Sequence, residues 1–147
     1  MNVQRGAQGS RISPVSTSSA PAAVGPYSAG IRTTAAELIF VSGQLPLDPT
    51  SGEMVTGDAD VLVRRALANG LAIVEAAGSS LERIVKVTVF LTDLGSFELV
   101  NRAYGEFFGE WRPARSVVEV SRLPRGSVVE VEMIATCASM SDSRESS

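Results

Sequence analysis

The last apolar segment of the chain, Val128-Val129-Glu130-Val131-Glu132-Met133-Ile134, carries two carboxylates spaced two residues apart. A strand has a side-chain period of two, so Val129, Val131, Met133 and Ala135 share one face, and Glu130 and Glu132 the other. The preceding segment, Arg115 to Val120, alternates Arg115, Val117 and Glu119 with Ser116, Val118 and Val120. Pairing of the two as a hairpin through Leu123-Pro124 would lay Arg115 across from residues 130 to 132. A guanidinium fork grips a carboxylate through two parallel hydrogen bonds. A neighbouring, partly desolvated Glu can orient or deprotonate water. Arg and Glu on adjacent strands are, however, more often an ion pair on a solvated face, and Glu119 and Glu132 suit that plainer role.

Other candidates are weaker by themselves. Gly25-Pro26-Tyr27-Ser28 is a stiff turn that presents a phenol, and Ser42-Gly43-Gln44 at a strand end can offer main-chain N–H groups to an anion. Each is equally a plain turn or strand terminator. Asn101 reads as an exposed or capping amide, and Cys137, the single cysteine, as a small late-strand residue.

What is missing constrains the chemistry more tightly. The 147 residues include no histidine, which removes imidazole bases, Ser–His and Cys–His nucleophiles and imidazole zinc sites. Reaction must then run on carboxylates, Arg, Lys, Tyr, hydroxyls, main-chain groups and water. With 13 Lys and Arg against 16 Asp and Glu, the net charge of −3 gives no electrostatic footprint for nucleic acid or an acidic membrane. One cysteine allows no internal disulfide and fits a reducing, cytoplasmic setting. No stretch approaches the roughly 20 apolar residues of a membrane span, and the first twenty residues lack a signal-type apolar core.

The elements that must position these groups follow from periodicity. Residues 1–20 are expected to be a flexible arm, 21–138 the folded domain, and the Ser-rich 139–147 a flexible tail. Ile31 to Thr34 and Leu38 to Ser42 read as short strands joined around Ala35-Ala36, with Gly43 to Pro46 stopping the second and a turn-rich loop to Gly57. A long helix capped at Asp58 or Asp60 buries Val63, Leu67, Leu71 and Val74, with Ala66 and Ala77 beside them, and ends at Gly78. Ile84 to Leu91 is a strand whose Val85, Val87, Val89 and Leu91 share a face. Ser96 to Phe108 is a second helix with Phe97, Val100, Tyr104 and Phe107 as its stripe, and the strands Arg115 to Val120 and Ser127 to Thr136 follow. The order ββ–α–β–α–ββ, with right-handed crossovers, predicts a two-layer α+β sandwich with both helices on one face. Nothing in the chain covers the other face, so a closed cyclic oligomer is expected.

These pieces together resemble the RidA (YjgF) family. The resemblance is carried by Gly25-Pro26-Tyr27-Ser28, Phe40-Val41-Ser42-Gly43-Gln44-Leu45-Pro46, Glu75-Ala76-Ala77-Gly78, Val85-Lys86-Val87-Thr88-Val89-Phe90-Leu91, Val100-Asn101, Pro113-Ala114-Arg115-Ser116, Arg122-Leu123-Pro124 and Val129-Glu130-Val131-Glu132. It covers residues 21 to 138 and implies a chorismate-mutase-like subunit with a mixed sheet, forming a homotrimer with three clefts between neighbours. It further implies an enamine and imine deaminase, a 2-iminobutanoate/2-iminopropanoate deaminase acting on species such as 2-aminoacrylate, with 2-keto acid and ammonium as products and no cofactor or metal. By the same resemblance Arg115 binds the substrate carboxylate, Glu130 serves the hydrolytic water, and Tyr27 lines the pocket and assists proton movement. Ser42, Gly43, Asn101 and Val117 complete the substrate contacts. Val117 stands where some members carry Cys, Ala29 replaces a common Gln, and the stretch from Gly109 to Arg112 is shorter than in many relatives. Three other readings remain: a trimer that senses a small carboxylate without turnover, an endoribonuclease, against which the charge argues, and a holdase-like protein.

Overall fold

The computed structural model describes residues 11–35 and 37–137. Its centre is a four-stranded mixed sheet of β3 (Leu38–Gln44), β4 (Ile84–Leu91), β5 (Ala114–Glu119) and β6 (Val129–Thr136), in the spatial order β3-β6-β4-β5. Strand β6 runs antiparallel to both β3 and β4, and β5 runs parallel to β4. Helices α1 (Ala59–Ala76) and α2 (Phe97–Phe108) pack against each other, and α1 lies on β6 and β3. The expected α+β architecture, two helices on a mixed sheet, is the one observed.

Periodicity explains the layer between. Val63, Ala66, Leu67 and Val74 of α1 and Val100, Ala103, Tyr104 and Phe108 of α2 meet Val87, Val89 and Leu91 of β4 and Val129, Val131, Met133 and Ala135 of β6 in one buried core. Each large aliphatic side chain buried there contributes roughly 1.5–3 kcal/mol. The face assignment of β6 holds residue by residue, with Glu130 and Glu132 turned away from the helices.

Several boundaries differ from expectation for identifiable reasons. Residues Ile12–Val15, where a flexible arm is expected, form strand β1, antiparallel to β2 (Gly30–Thr33), so over its described part the segment is tied down by a ladder. Residues 1–10 and 138–147 lie outside the described residues. Strand β3 continues through Ser42 and Gly43 to Gln44, and these two residues are a bulge between Val41 and Gln44 in the pairing with β6, not a terminator. A register shift between Ile84 and Lys86 turns Ile84 inward in place of Val85. On α2 the buried stripe is Val100, Ala103, Tyr104 and Phe108; Phe97 is 38 % exposed and Phe107 half-buried. Ala77 is exposed beyond the end of α1.

One topological expectation fails, and it matters for the site. Strands β5 and β6 do not form a hairpin: β4 lies between them. The α2 crossover delivers β5 parallel to β4. The most continuously buried strand, β6, takes the slot where both its edges are paired.

The sheet face away from the helices has no helix packed on it among the described residues. It exposes Phe40 (71 %), Leu38 (48 %) and Val118 (39 %) around a concavity of about 320 Å³ lined in part by Ser42, Lys86, Thr88 and Glu132. There Lys86 Nζ donates to Ser116 Oγ at 2.8 Å. Among the described residues, no helix is long and apolar enough to cross a membrane.

The C-terminus of α1 is closed by a left-handed turn. Gly78 has φ +83, with open space where a Cβ would stand, and the N–H groups of Gly78 and Ser79 close onto the Glu75 and Val74 carbonyls. Gly78→Ala is expected to cost about 1 kcal/mol through backbone strain alone. The urea midpoint at fixed protein concentration reads this out; an unshifted midpoint would mean the left-handed turn does not close the helix.

Candidate active site

Arg115 is the second residue of β5, and its pairing partner on β4 is Val87, which in turn pairs with Met133 on β6. That row faces the helices. Glu130 pairs with Phe90, whose other partner is Val118, and this row belongs to the open face. Arg115 and Glu130 therefore lie on opposite faces of the sheet, with β4 between them. The expectation that one chain sets them across from each other is corrected by the strand order.

Around Arg115 the chain assembles one half of the candidate site. The guanidinium donates from Nη1 to Asn101 Oδ1 at 2.8 Å. Its carbon lies 4.8 Å from the ring centre of Tyr104, 5.2 Å from that of Tyr27 and 5.9 Å from that of Phe97. Phe97, Asn101 and Tyr104 follow each other at helical spacing, so α2 presents all three toward β5. Tyr27 arrives from the other side because its turn is fastened to the start of β5. Ser28 N–H donates to Pro113 O at 3.0 Å, the Ser28 hydroxyl donates to the Arg112 carbonyl, and Ser28 bridges Ala114 in parallel fashion. The Val24 N–H reaches Tyr27 Oη at 3.4 Å. Val117, two residues beyond Arg115 on the same face, is half-buried.

Electrostatics set this half apart. Arg115 is half-buried, and it makes no ion pair among the described residues. Burial lowers its pKa from the ordinary value, and the Tyr104 and Tyr27 phenols oppose that shift. A guanidinium remains charged regardless. The aromatic faces supply a partial counter-charge, and among the described residues no carboxylate pairs with the N–H groups not given to Asn101.

The second half lies at the β3 bulge. Glu130 is half-buried, and its carboxylate has no hydrogen-bond or ion-pair partner among the described residues. A Cβ at Gly43 would collide with Glu130 Oε1, so the carboxylate rests over a backbone position that only Gly leaves free. Ser42 is exposed beside it, and Gln44 Nε2 donates back to the Ser42 carbonyl at 3.1 Å. Of the other acidic strand residues, Glu119 accepts from the Leu94 N–H at 3.0 Å and so caps the turn entering α2, a structural role. Glu132 is exposed on the open face.

The chain thus brings Tyr27, Asn101, Arg115 and Val117 together, brings Ser42, Gly43 and Glu130 together, and keeps the two groups apart. Phe97 and Tyr104, not singled out as site residues from the sequence, complete the walls around Arg115. Their spacing from Asn101 along α2 was a usable signal, obscured because apolar helix residues at that spacing are usually core.

Fold and geometry together define a class: a two-layer α+β subunit in which a half-buried arginine and a half-buried carboxylate, neither ion-paired among the described residues, stand on opposite faces of the sheet. A family model described as endoribonuclease L-PSP matches residues 17–137. The chain belongs to this family, the RidA (YjgF) family. A RutC family protein of Pyrococcus horikoshii is 49% identical over 119 residues, covering 81% of this chain and 93% of that protein. The 2-iminobutanoate/2-iminopropanoate deaminase of Escherichia coli K12 is 47% identical over 124 residues, covering 82% of this chain and 94% of its own. The crystal structure of E. coli TdcF with bound serine aligns with TM-score 0.65 at 42% identity, covering 84% of this chain and 98% of that one.

The contact between Gly43 and Glu130 is open to test. In a crystal structure of Gly43→Ala, the Glu130 carboxylate should be rotated away from the bulge while the β3–β6 register is kept. A carboxylate left in place beside the new methyl group would show that the contact does not position it.

Proposed function

We propose that the protein is a deaminase that hydrolyses small enamine and imine carboxylates, of the 2-aminoacrylate type, to 2-keto acids and ammonium. The observation that carries this reading is the half-buried, aromatic-walled Arg115 guanidinium without a carboxylate partner among the described residues. A buried cation left unpaired is costly, so a site that keeps one is built for an anionic ligand. The similar E. coli deaminase supports the reaction class, and serine bound to the similar TdcF supports a ligand bearing a carboxylate.

The active assembly is a homotrimer of chorismate-mutase-like subunits, in which the uncovered sheet faces are buried and each cleft is shared by two neighbours. One subunit contributes Arg115, Asn101, Tyr27 and Val117, and its neighbour contributes Ser42, Gly43 and Glu130. This arrangement answers two features of the single chain at once: the exposed Phe40, Leu38 and Val118, and the separation of Arg115 from Glu130. Arg115 holds the substrate carboxylate through parallel hydrogen bonds, while main-chain groups at Ser42 and Gly43 fix its orientation. An enamine first takes a proton on carbon, with Tyr27 assisting. Glu130 orients water against the imine carbon and accepts its proton, giving a carbinolamine. Proton return to nitrogen breaks the C–N bond, and ammonium and the 2-keto acid leave. No step needs a metal, cofactor or covalent intermediate, and a cytoplasmic setting suits the single cysteine.

Serine bound to TdcF also favours a second reading, a trimer that senses a small carboxylate without turning it over. A coupled assay separates the two. A pyridoxal-phosphate dehydratase supplies the imine from serine or threonine, and the release of keto acid is timed. The deaminase reading expects acceleration, and a sensor gives none. Arg115→Ala should lower the rate by on the order of 100-fold or more, the loss of two charge-assisted hydrogen bonds, with the trimer intact. Full activity in that variant would remove the anchor.

The shared cleft makes a sharper prediction. Arg115→Ala and Glu130→Gln, each nearly inactive alone, should recover activity when mixed, unfolded and reassembled together. Half of the positions retain Arg115 and half of their neighbours retain Glu130, so about a quarter of the sites are intact in a cyclic trimer. No recovery in mixed trimers would place both residues in one chain's site or deny one of them a role.

A further inference from the structure

Tyr104 is fully buried in the core, yet its hydroxyl has no hydrogen-bond partner among the described residues. A buried phenol without a partner is a poorer core residue than Phe, because the hydroxyl gives up water for nothing. The same helix uses Phe107 and Phe108 where only packing is required, and the Phe108 ring packs, tilted by 44°, with its centre 4.7 Å from that of Tyr104. Packing therefore accounts for the ring and leaves the oxygen unexplained. Of the three rings around Arg115, Tyr104 is the nearest, at 4.8 Å, and the only one wholly inside the protein. It stands one helical turn beyond Asn101, the residue that takes the single guanidinium hydrogen bond among the described residues. Tyr27 and Phe97 are each partly exposed. Tyr104 is thus the fixed wall against which the guanidinium rests.

We propose that Tyr104 is a positioning residue for Arg115: its ring backs the guanidinium, and its buried hydroxyl is retained to engage Arg115 when the guanidinium turns to clamp a ligand carboxylate. Burial raises the phenol's pKa, against the opposing influence of Arg115 and Arg112, so the group stays a neutral hydroxyl across the working range and adds no competing negative charge. A neutral oxygen can accept an N–H that swings off Asn101, and so orient the fork without neutralising it. This deepens the proposed function, since it concerns the same anchor, but its test does not require turnover.

The test measures binding of 2-oxobutanoate by calorimetry, alongside the dehydratase-coupled assay, for the intact protein, Tyr104→Phe and Tyr104→Leu. Tyr104→Phe keeps the ring and should keep or raise the thermal midpoint, since it removes an unpartnered polar atom. It should nevertheless weaken 2-oxobutanoate binding about 5- to 10-fold, on the scale of one hydrogen bond, and raise KM while kcat stays within about 2-fold. Tyr104→Leu loses the ring as well and should bind more weakly than Tyr104→Phe. Binding and KM unchanged in a folded Tyr104→Phe would overturn the proposal. Weakened binding in a protein that shows no deamination with any substrate would uphold the positioning role and defeat the deaminase reading instead.

Discussion

A guanidinium placed where water only partly reaches it, with no acidic side chain to meet it among the described residues, organises much of what is distinctive here. Arg115 is held by one amide, Asn101, and by three aromatic rings. An amide satisfies one N–H without cancelling charge, and ring faces soften the desolvation cost without occupying the fork. A carboxylate in Asn101's position would have made a stable ion pair and closed the anchor to any ligand. The arrangement is thus a cation stabilised by an amide and ring faces, without an ion-pair partner among the described residues.

That requirement reaches into the fold. The Gly25–Ser28 turn is fastened to Arg112 and Pro113, just ahead of β5, by the Ser28 hydrogen bonds, which puts Tyr27 over the guanidinium. The segment behind it is fixed too: the Trp111 indole donates to the Ile84 carbonyl at 2.8 Å, and Arg112 ties back to the carbonyls of Gly109 and Trp111. The short stretch at one rim of the site is therefore anchored to β4. On the far face, the β3 bulge and Gly43 make room for Glu130 in the same economical way, by omitting a side chain. Two halves, each locally complete, are built on opposite faces of one sheet.

Much of this was legible in the sequence. The helix over residues 59–76, the strand over 84–91 and the alternation along β6 followed from apolar spacing, because burial against a single layer imposes a period on the chain. The motifs singled out Arg115 and Glu130 as candidates. The bulge at Ser42 and Gly43 did not, since a strand that must end and a strand that must bend both place Gly there. Strand β1 was missed because four residues containing a Pro, on the edge of a two-stranded ribbon, carry almost no pattern. Tyr104 read as core because, by periodicity, it is core; only the state of its hydroxyl distinguishes it.

Residue types and their alternation were enough to determine the two-layer class and the faces of β6, and the absence of histidine removes imidazole chemistry from the chain. Strand order was not contained in them. Alternation tells a strand which face is apolar, but hairpin pairing of β5 with β6 and insertion of β4 between them bury the same side chains equally well. The choice rests on which strand needs both edges paired and on where the α2 crossover returns, properties of the assembled sheet rather than of any segment. That choice put β4 between Arg115 and Glu130, and the register along it set the two side chains on opposite faces.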